Sequence, residues 1–508
     1  MVRPPVGELI AVVTDRGSWA SWDTPPTDPP GISDAYASDL AAARSATGLD
    51  ESVVTGEATL AGRRVALIAG DPRFLGGSIG VATAVRLADA IARATREGLP
   101  LLALPVGGGT RMQEGTLAFL QMAKITQAVM DHKAAGLPYL VYLRHPTMGG
   151  VFASWASLGH VTLAEPGALL GFLGPRVYEA LYGRPFPSGV QLAENLEARG
   201  IVDAVVPPDQ VRSAWARILQ VVAREPGEGA SAAASAAEPD RGPSPDPDPD
   251  DLTDTPAWTS VLATRRPDRP GVRFLLAGAT DVTMLNGTGD GESHPGSVLA
   301  LARIGGEPCV VLGQCREGQT LENPLDAAAL REARRGLRLS RELRLPLLTV
   351  IDTPGAALSK EAEERGLAGE IARTLSELLT LPTPTVSLLM GQGAGGIALA
   401  LVPADRVLAS EHAWLAPLPP EGASAIVHRD TEHAAELAGA QGVRARDLLR
   451  NGIVDRVVPE PPDAAADPDA FRAGLLDAVS AELRRVVSAD GELRLAERAE
   501  KYRTLGVR

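Results

Sequence analysis

The chain has 508 residues, of which 45% are hydrophobic and 22% are charged, with a formal net charge of −14. This length allows two or three domains, and the composition is ordinary for a soluble globular protein. The acidic balance argues against nucleic acid as the main partner, and no apolar run reaches the roughly 18 residues of a membrane-spanning helix. Two cysteines build neither a disulfide framework nor a four-cysteine zinc site, and the N-terminus shows no secretory signal, so we expect a cytoplasmic protein.

The first half begins with about 45 residues, containing Trp19, Trp22 and several prolines, which we predict to be an irregular lead-in. Short apolar runs then alternate with helical patterns. The runs predict buried strands at 65–69, 101–104, 139–143 and 161–163, and the helical spacing predicts helices at 79–97 and 115–135. Such alternation indicates an α/β fold with largely parallel sheets covered by helices.

Residues 226–256 are rich in Pro, Asp, Ser and Ala and have no apolar periodicity. We predict a disordered linker, because such a segment cannot bury enough apolar surface to offset the entropy of ordering. It separates an N-terminal half, 1–225, from a C-terminal half, 257–508. In the second half we predict strands at 310–312, 347–351, 385–390 and 407–409, and helices at 326–343, 361–380 and 396–401.

The two halves repeat each other. The segment 99–102 (LPLL) recurs at 345–348, and Gly149-Gly150 recurs as Gly395-Gly396, in both cases 246 residues later. The segment 200–203 (GIVD) recurs at 452–455, an offset of 252 residues. The sequence therefore predicts two copies of one fold unit, each with an apolar run that ends on a glycine pair.

A glycine pair where a strand turns into a helix lets a ligand approach the peptide plane, because no Cβ atom intervenes. Peptide N–H groups exposed at such a turn stabilise an oxyanion that forms on a thioester or amide carbonyl. For one isolated pair, close packing of helix and strand would be the better interpretation. Because the pair occurs at the same place in two copies, we favour two oxyanion sites, at Gly149-Gly150 and at Gly395-Gly396.

A second glycine-rich turn, Gly107-Gly108-Gly109-Thr110-Arg111, follows the strand at 101–104. Its counterpart 246 residues later contains Gly355 and Ala356. The sequence leaves two interpretations of Arg111 open: it meets a carboxylate or phosphate of a ligand, or it is a buried structural arginine paired with Glu114.

Other catalytic motifs are weak or missing. Gly391, Gly393 and Gly396 fit the dinucleotide fingerprint, with Glu411 at the expected distance, but the first copy shares only the glycine pair, so we interpret the fingerprint as fortuitous. There is no phosphate-binding loop, no nucleophile elbow and no histidine pattern of a metal site; His145 is left as a substrate contact or a capping residue. A reaction in which two oxyanions are stabilised and the substrates react with each other fits this pattern.

The motifs resemble those of a known family. PVGGGTRMQEG (105–115), QMAKITQA (121–128), the segment 136–177 and GIVDAVV (200–206) resemble the β subunit of the acetyl-CoA carboxylase carboxyltransferase. The segments 351–373, 391–409, 419–430 and 452–461 are similar to its α subunit. The chain thus resembles a β–α fusion of a biotin-dependent acyl-CoA carboxyltransferase.

The resemblance implies two tandem crotonase-like (ClpP/crotonase) domains built from βαβ units. It implies transfer of CO₂ from carboxybiotin to the α-carbon of acetyl-CoA or another short acyl-CoA, which gives malonyl-CoA for fatty acid synthesis. Gly149 and Gly150 would serve the acyl-CoA and Gly395 and Gly396 the biotin, or the reverse. The further substrate-binding residues are then Gly108, Gly109, Arg111, Gly355 and Ala356.

In this family the active site lies between domains of different protomers, so a homodimer or larger oligomer is implied, with no bound metal. The sequence has neither a biotin-attachment motif nor an ATP-binding region, which implies a separate biotin carboxylase and a biotin carboxyl carrier protein or a fused biotinylated subunit. It departs from the family in lacking a zinc ribbon, in Thr110, in Ile397 at a usual glycine, and in residues 357–359. Two alternatives stay open: a biotin-independent malonyl-thioester decarboxylase, and a catalytically silent assembly subunit.

Overall fold

The computed structural model describes residues 5–28, 32–171, 184–222, 252–320, 322–357, 359, 362, 364–460 and 464–504. The chain divides into two compact units, Met1–Ala223 with Gly289–Gly291, and Arg224–Thr288 with Glu292–Arg508. Most of the predicted linker, residues 226–251, lies outside the described residues.

The first unit is built on a seven-stranded sheet in the order β1-β2-β3-β4-β5-β7-β9. Strands β1, β2 and β3 pair antiparallel, and the pairing is parallel from β3 to β9. A separate parallel pair, β6 with β8, lies beyond the end of β5. The strands are β1 Ala20–Ser21, β2 Val53–Leu60, β3 Arg63–Gly70, β4 Leu101–Leu104, β5 Tyr139–Leu143, β6 Thr147–Met148, β7 Val161–Ala164, β8 Leu170–Gly171 and β9 Ala204–Val205.

The helices of this unit are α1 Val6–Val13, α2 Asp34–Thr47, α3 Val81–Arg96, α4 Gly115–Ala134, α5 Gly149–Phe152, α6 Ala193–Ala198 and α7 Pro208–Val222. The prediction of an irregular lead-in was therefore wrong over α1 and α2. Helix α2 has recognisable end signals, since the Ser33 side chain accepts a hydrogen bond from the Tyr36 amide and Gly48 ends the helix in the left-handed conformation.

The second unit repeats this plan with a sheet in the order β10-β11-β12-β13-β14-β15-β17, and β16 pairs with β14. The pairing is antiparallel from β10 to β12 and parallel beyond. Its strands are β10 Thr280–Leu285, β11 Ser297–Ile304, β12 Glu307–Gln314, β13 Leu347–Thr353, β14 Thr385–Ala394, β15 Arg406–Ser410, β16 Trp414–Ala416 and β17 Arg456–Val458.

The helices of the second unit are α8 Ala257–Arg265, α9 Val272–Leu276, α10 Ala327–Leu343, α11 Leu367–Leu379, α12 Gly395–Leu399, α13 Pro420–Val427, α14 Ala434–Ala440, α15 Ala445–Arg450, α16 Pro468–Ser488 and α17 Gly491–Thr504. Within the described ranges, none of the chain's helices combines the length and apolar character that crossing a membrane requires.

The predicted strands all fall within observed parallel strands, and the mixed α/β fold is confirmed. The missed strands are of two kinds: β1, β2, β10 and β11 pair antiparallel at one side of each sheet, and β6, β8, β9, β16 and β17 are parallel strands of two or three residues. The repeated GIVD segments make the same kind of hydrogen bond in both units. The Asp203 carboxylate accepts a hydrogen bond from the Thr162 amide at 2.8 Å, and the Asp455 carboxylate accepts one from the Val407 amide at 2.7 Å. Each aspartate therefore links its own segment to the neighbouring strand, β7 or β15.

Candidate functional site

The first glycine pair forms the turn between β6 and α5. Gly149 has φ 60°, a left-handed conformation that favours glycine, and a Cβ atom there would lie 2.7 Å from the Gly108 carbonyl oxygen. Gly150 is free of both constraints, because its nearest Cβ neighbours are atoms of Met122 at 3.5 and 3.6 Å. The first glycine is therefore needed for the turn itself, and the second is not.

The glycine-rich segment after β4 lies directly against this turn. A Cβ atom on Gly109 would be 2.9 Å from the Gly150 amide nitrogen, and one on Gly150 would be 3.9 Å from the Thr110 amide nitrogen. A Cβ atom on Gly108 would have no heavy atom of the described residues within 4 Å, apart from its chain neighbours. The structure thus brings the predicted residues Gly108, Gly109, Gly149 and Gly150 together into one patch of backbone, in which Gly108 is exposed, Gly109 is buried and the pair is half-buried; we name this patch the first turn.

The chemistry of this patch is that of peptide N–H donors. The Gly150 amide lies at the start of a helix and has no partner within it. Helix α5 has only four residues, so individual amides rather than a helix dipole provide the donors. Amides held by the chain in this way are suited to an oxygen atom that becomes negative during a reaction.

Arg111 lies behind the first turn and is 1% exposed. Its guanidinium group donates to the Glu51 carboxylate at 2.5 and 3.1 Å and to the Ser78 carbonyl oxygen at 3.0 Å, with Glu114 at 3.5 Å. Burial acts to lower the pKa of Arg111, but the Glu51 carboxylate outweighs it and the pKa rises. These surroundings match the structural interpretation of Arg111, with Glu51 as the main partner rather than Glu114.

This buried ion pair holds the backbone of the first turn. The Arg111 amide donates to the Ile79 carbonyl oxygen at 2.8 Å, and the Ile79 amide donates to the Gly109 carbonyl oxygen at 2.9 Å. The side chain of Glu114 accepts the Val81 amide at 2.6 Å. Glu51 was not found from the sequence, since a glutamate 60 residues before Arg111 gives no local signal of pairing.

The second glycine pair forms the turn between β14 and α12, which we name the second turn. Gly395 has φ 75°, and Gly396 follows it as the second residue of a five-residue helix. Gly355 has φ 131°, and a Cβ atom on it would lie 3.9 Å from the Ala394 Cβ. The predicted residues Gly355, Gly395 and Gly396 are thus brought together, and Ala356 follows Gly355 in the same segment.

The two turns have the same backbone. Gly109 and Gly355, 246 residues apart, have φ 111° and 131°; Gly149 and Gly395, at the same offset, have φ 60° and 75°. The residues after the pairs, Val151 and Ile397, are both buried, at 0% and 1% exposure. This register places the second pair at 395–396 and leaves Ile397 as a core residue.

Packing accounts for the glycines that imitate a dinucleotide fingerprint. A Cβ atom on Gly391 would collide with the Asp352 carboxylate, and one on Gly393 would lie 2.7 Å from the Trp414 carbonyl oxygen. Asp352 is buried and accepts the Gln392 amide at 3.0 Å, and burial raises the pKa of its carboxyl group. The first two glycines of the fingerprint therefore make room for protein atoms.

The histidines give no sign of metal chemistry. No group of three or more His, Cys, Asp or Glu side chains in the described part of the chain is arranged to hold a metal ion. His145 is exposed, and its Nδ1 accepts a hydrogen bond from the Leu169 amide at 3.1 Å. Of the roles that the sequence left open for His145, this contact corresponds to capping.

Comparisons with known proteins agree with this geometry. The pattern of the carboxyl transferase domain family matches residues 31–491. A relative from Mycobacterium tuberculosis (strain ATCC 25618 / H37Rv), named "Probable biotin-dependent acyl-coenzyme A carboxylase beta3 subunit", is 58% identical over 508 residues, which are 100% of this chain and 99% of the relative. A relative from Salinispora arenicola (strain CNS-205), named "Acetyl-coenzyme A carboxylase carboxyl transferase subunits beta/alpha", is 39% identical over 98% of this chain and 90% of its own length.

Among solved structures, a crystal structure of transcarboxylase 12S is similar to this chain with a TM-score of 0.75 and 20% sequence identity. The similarity covers 96% of this chain and 91% of that one, whose hexamer was determined with methylmalonyl-coenzyme A and methylmalonic acid bound. At this identity the likeness establishes the fold, and the predicted crotonase-like fold class is confirmed.

Proposed function

The chain belongs to the carboxyl transferase domain family, and from this premise we propose that it is the carboxyltransferase component of a biotin-dependent acyl-CoA carboxylase. The observation that carries the proposal is the matched backbone of the two turns. Left-handed glycines at 109 and 149, and again at 355 and 395, leave two sets of peptide amides uncovered by side chains. A reaction that forms two oxyanions would use one set of amides to stabilise each of them.

The first turn fits a thioester carbonyl. Its open space above Gly108 and beside Gly150 admits a flat carbonyl group to the amides of Gly150 and Thr110. When the α-carbon of the acyl group loses its proton, the thioester oxygen takes up negative charge, and these amides stabilise it. Loss of one donor from such a site typically costs about 3–4 kcal/mol of transition-state stabilisation.

The second turn fits the ureido oxygen of biotin. Among the described residues a Cβ atom at Gly395 would meet just the Pro417 carbonyl oxygen, at 3.6 Å, which leaves room for a small acceptor beside Gly395, whereas the Cβ direction of Gly396 faces Ile371 at 3.0 Å. Biotin supplies the carboxyl group when it is presented there on its carrier protein. The residues of the chain hold the ureido oxygen and orient the biotin ring. The α-proton of the acyl-CoA is taken by the other substrate and not by a side chain of the protein.

The finer proposals concern substrate and partners. We propose acetyl-CoA or another short acyl-CoA as acceptor, with malonyl-CoA as the product for fatty acid synthesis in the first case, and a cytoplasmic location. A biotin carboxylase and a biotinylated carrier are the partners, and the active enzyme is a homodimer or larger oligomer. Carboxylation rates with acetyl-, propionyl- and butyryl-CoA, measured with these partners present, test the choice of substrate.

The proposed activity is tested with purified chain, malonyl-CoA and free biotin. We expect loss of the carboxyl group from malonyl-CoA to depend on biotin. Loss at an equal rate without biotin would instead identify a malonyl-thioester decarboxylase. No turnover of malonyl-, methylmalonyl- or ethylmalonyl-CoA in either condition would identify a silent assembly subunit.

A further inference from the structure

The last residue of β12, Gln314, reaches the second turn from the sheet. Its side chain is 3% exposed, and its Nε2 donates a hydrogen bond to the carbonyl oxygen of Ile397 at 3.0 Å. Ile397 directly follows the glycine pair. Gln314 thus contacts the backbone of the second turn one residue beyond Gly396, from a buried position.

Helix α12 is only five residues long, so it provides few hydrogen bonds of its own to hold the second turn. The chain's own amides reach the carbonyl oxygens around Ile397: Ala400 donates to Gly396 at 2.9 Å, Leu401 to Ala398 at 3.0 Å, and Val402 to Leu399 at 3.2 Å. The carbonyl group of Ile397 is bound by Gln314 instead. This side chain therefore replaces a bond that a longer helix would make for itself.

The first turn is held differently. There the Ser154 Oγ donates to the Gly150 carbonyl oxygen at 2.5 Å, a bond made within the turn itself. The strand that corresponds to β12 is β3, and it ends at Gly70, which has no side chain to extend. Within the part of the chain that the structure describes, a side chain at this strand position contacts the glycine turn only in the second unit.

Packing does not explain a glutamine at position 314. The side chain borders a cavity of about 20 Å³, the size of one water molecule, whose other walls are mostly aliphatic: Val298, Leu312, Leu325, Leu330, Ile397 and Leu401. Its Oε1 is buried without a hydrogen-bond partner among the described residues. An aliphatic side chain of the same length would also fit these walls, so the bond to the Ile397 carbonyl oxygen is what distinguishes a glutamine at this position.

We propose that Gln314 is a positioning residue for the second turn. By holding the carbonyl group of Ile397, two peptide units after the Gly396 N–H, it restricts rotation of the start of α12 and so restricts the direction in which that N–H points. This inference rests on the proposed function in one respect, since it assumes that the Gly396 amide binds a reacting oxygen. A small displacement of such an N–H donor strongly weakens stabilisation of the transition state, because that stabilisation depends on donors that are already in place before the reaction begins.

The test is Gln314→Met, which keeps the length of the side chain and removes its amide. The free energy of unfolding should change little, because the substitution removes the Oε1 atom but also leaves the Ile397 carbonyl oxygen without its donor, while kcat for biotin-dependent loss of the carboxyl group from malonyl-CoA should fall at least about 10-fold. If the second turn serves biotin, the KM for free biotin should rise and the KM for malonyl-CoA should not. The matched variant Ser154→Ala, in the first turn, should show the reverse pattern of KM values.

Amide hydrogen exchange gives a second readout that needs no activity. In Gln314→Met, exchange at Ala400 and Leu401 should be at least about 10-fold faster than in the wild type, with no change around Ala153. Wild-type kcat together with wild-type exchange in this variant would overturn the proposal. If the wild-type chain transfers no carboxyl group, the proposed function fails, and the exchange rates still decide whether Gln314 holds the turn.

Discussion

A Cβ atom on Gly109 would lie 2.9 Å from the amide nitrogen of Gly150. Two glycines that are 41 residues apart in sequence therefore meet with no side chain between them. The corresponding approach in the second unit is looser, since a Cβ atom on Gly355 would lie 3.9 Å from the Ala394 Cβ, an ordinary van der Waals contact. In the proposed function the groups that act at both places are peptide amides, whose positions depend on how the surrounding residues hold the backbone.

Replacement of Gly150 by alanine should separate activity from folding. The new methyl group meets Met122 atoms no closer than 3.5 Å, so stability should change by less than about 1 kcal/mol. The same methyl group lies 3.9 Å from the Thr110 amide and occupies the space offered to a ligand oxygen, so kcat/KM should fall about 10- to 100-fold. Chemical denaturation and steady-state kinetics on the same preparation measure both quantities.

The matched control is Gly149→Ala, at a residue with φ 60° where the methyl group would be 2.7 Å from the Gly108 carbonyl oxygen. It should lose about 1–3 kcal/mol of stability, because both the backbone conformation and the space are unfavourable. Equal losses of stability in the two variants, with full activity per folded molecule, would mean that the glycine pair serves packing only.

Arg111→Met should destabilise the first unit by about 3–5 kcal/mol, since it leaves the Glu51 carboxylate, 1% exposed, as an unpaired buried charge. Arg64→Met is the control: this arginine is 55% exposed, and its ion pairs with Glu57 and Glu97 are at the surface, so the change should stay within about 0.5 kcal/mol. Urea denaturation measures both. A raised KM for acyl-CoA with unchanged stability would instead support contact of Arg111 with the substrate.

The central parallel strands could be predicted because they are short apolar runs, as in β5, where all five residues are buried. The turns could be predicted because two copies of one glycine pair confirm each other. The antiparallel strand β2 was missed, because Gly56 and Glu57 interrupt its alternation. Gln314, Ser154 and Glu51 were missed for a different reason: each acts through a contact that only the folded chain creates.

Glu332 should make the stability of the second unit depend on pH. Burial raises the pKa of its carboxyl group from 4.5 to about 7, although the nearby Arg335 charge acts to lower it. Between these two values the folded state holds a proton that the unfolded state has lost, so stability falls as pH rises from about 4.5 to 7. The contribution is about 3 kcal/mol.

Glu332→Gln keeps the shape of the side chain without its charge. The variant should therefore gain stability relative to the wild type as pH rises, with the difference complete above pH of about 7. Unfolding free energies of both proteins at pH 5, 6, 7 and 8 measure it. A difference that does not change with pH would show that the carboxyl group titrates alike in both states.

The central claim is that two backbone turns serve one carboxyl transfer. Its most direct test uses malonyl-CoA labelled in the free carboxyl group, together with free biotin, and follows the label into carboxybiotin with the wild type, Gly150→Ala and Gly396→Ala. We expect label in biotin with the wild type and at least about 10-fold less with each folded variant. Label released only as CO₂ at a rate independent of biotin, or transfer to biotin unaffected by either substitution, would contradict this account.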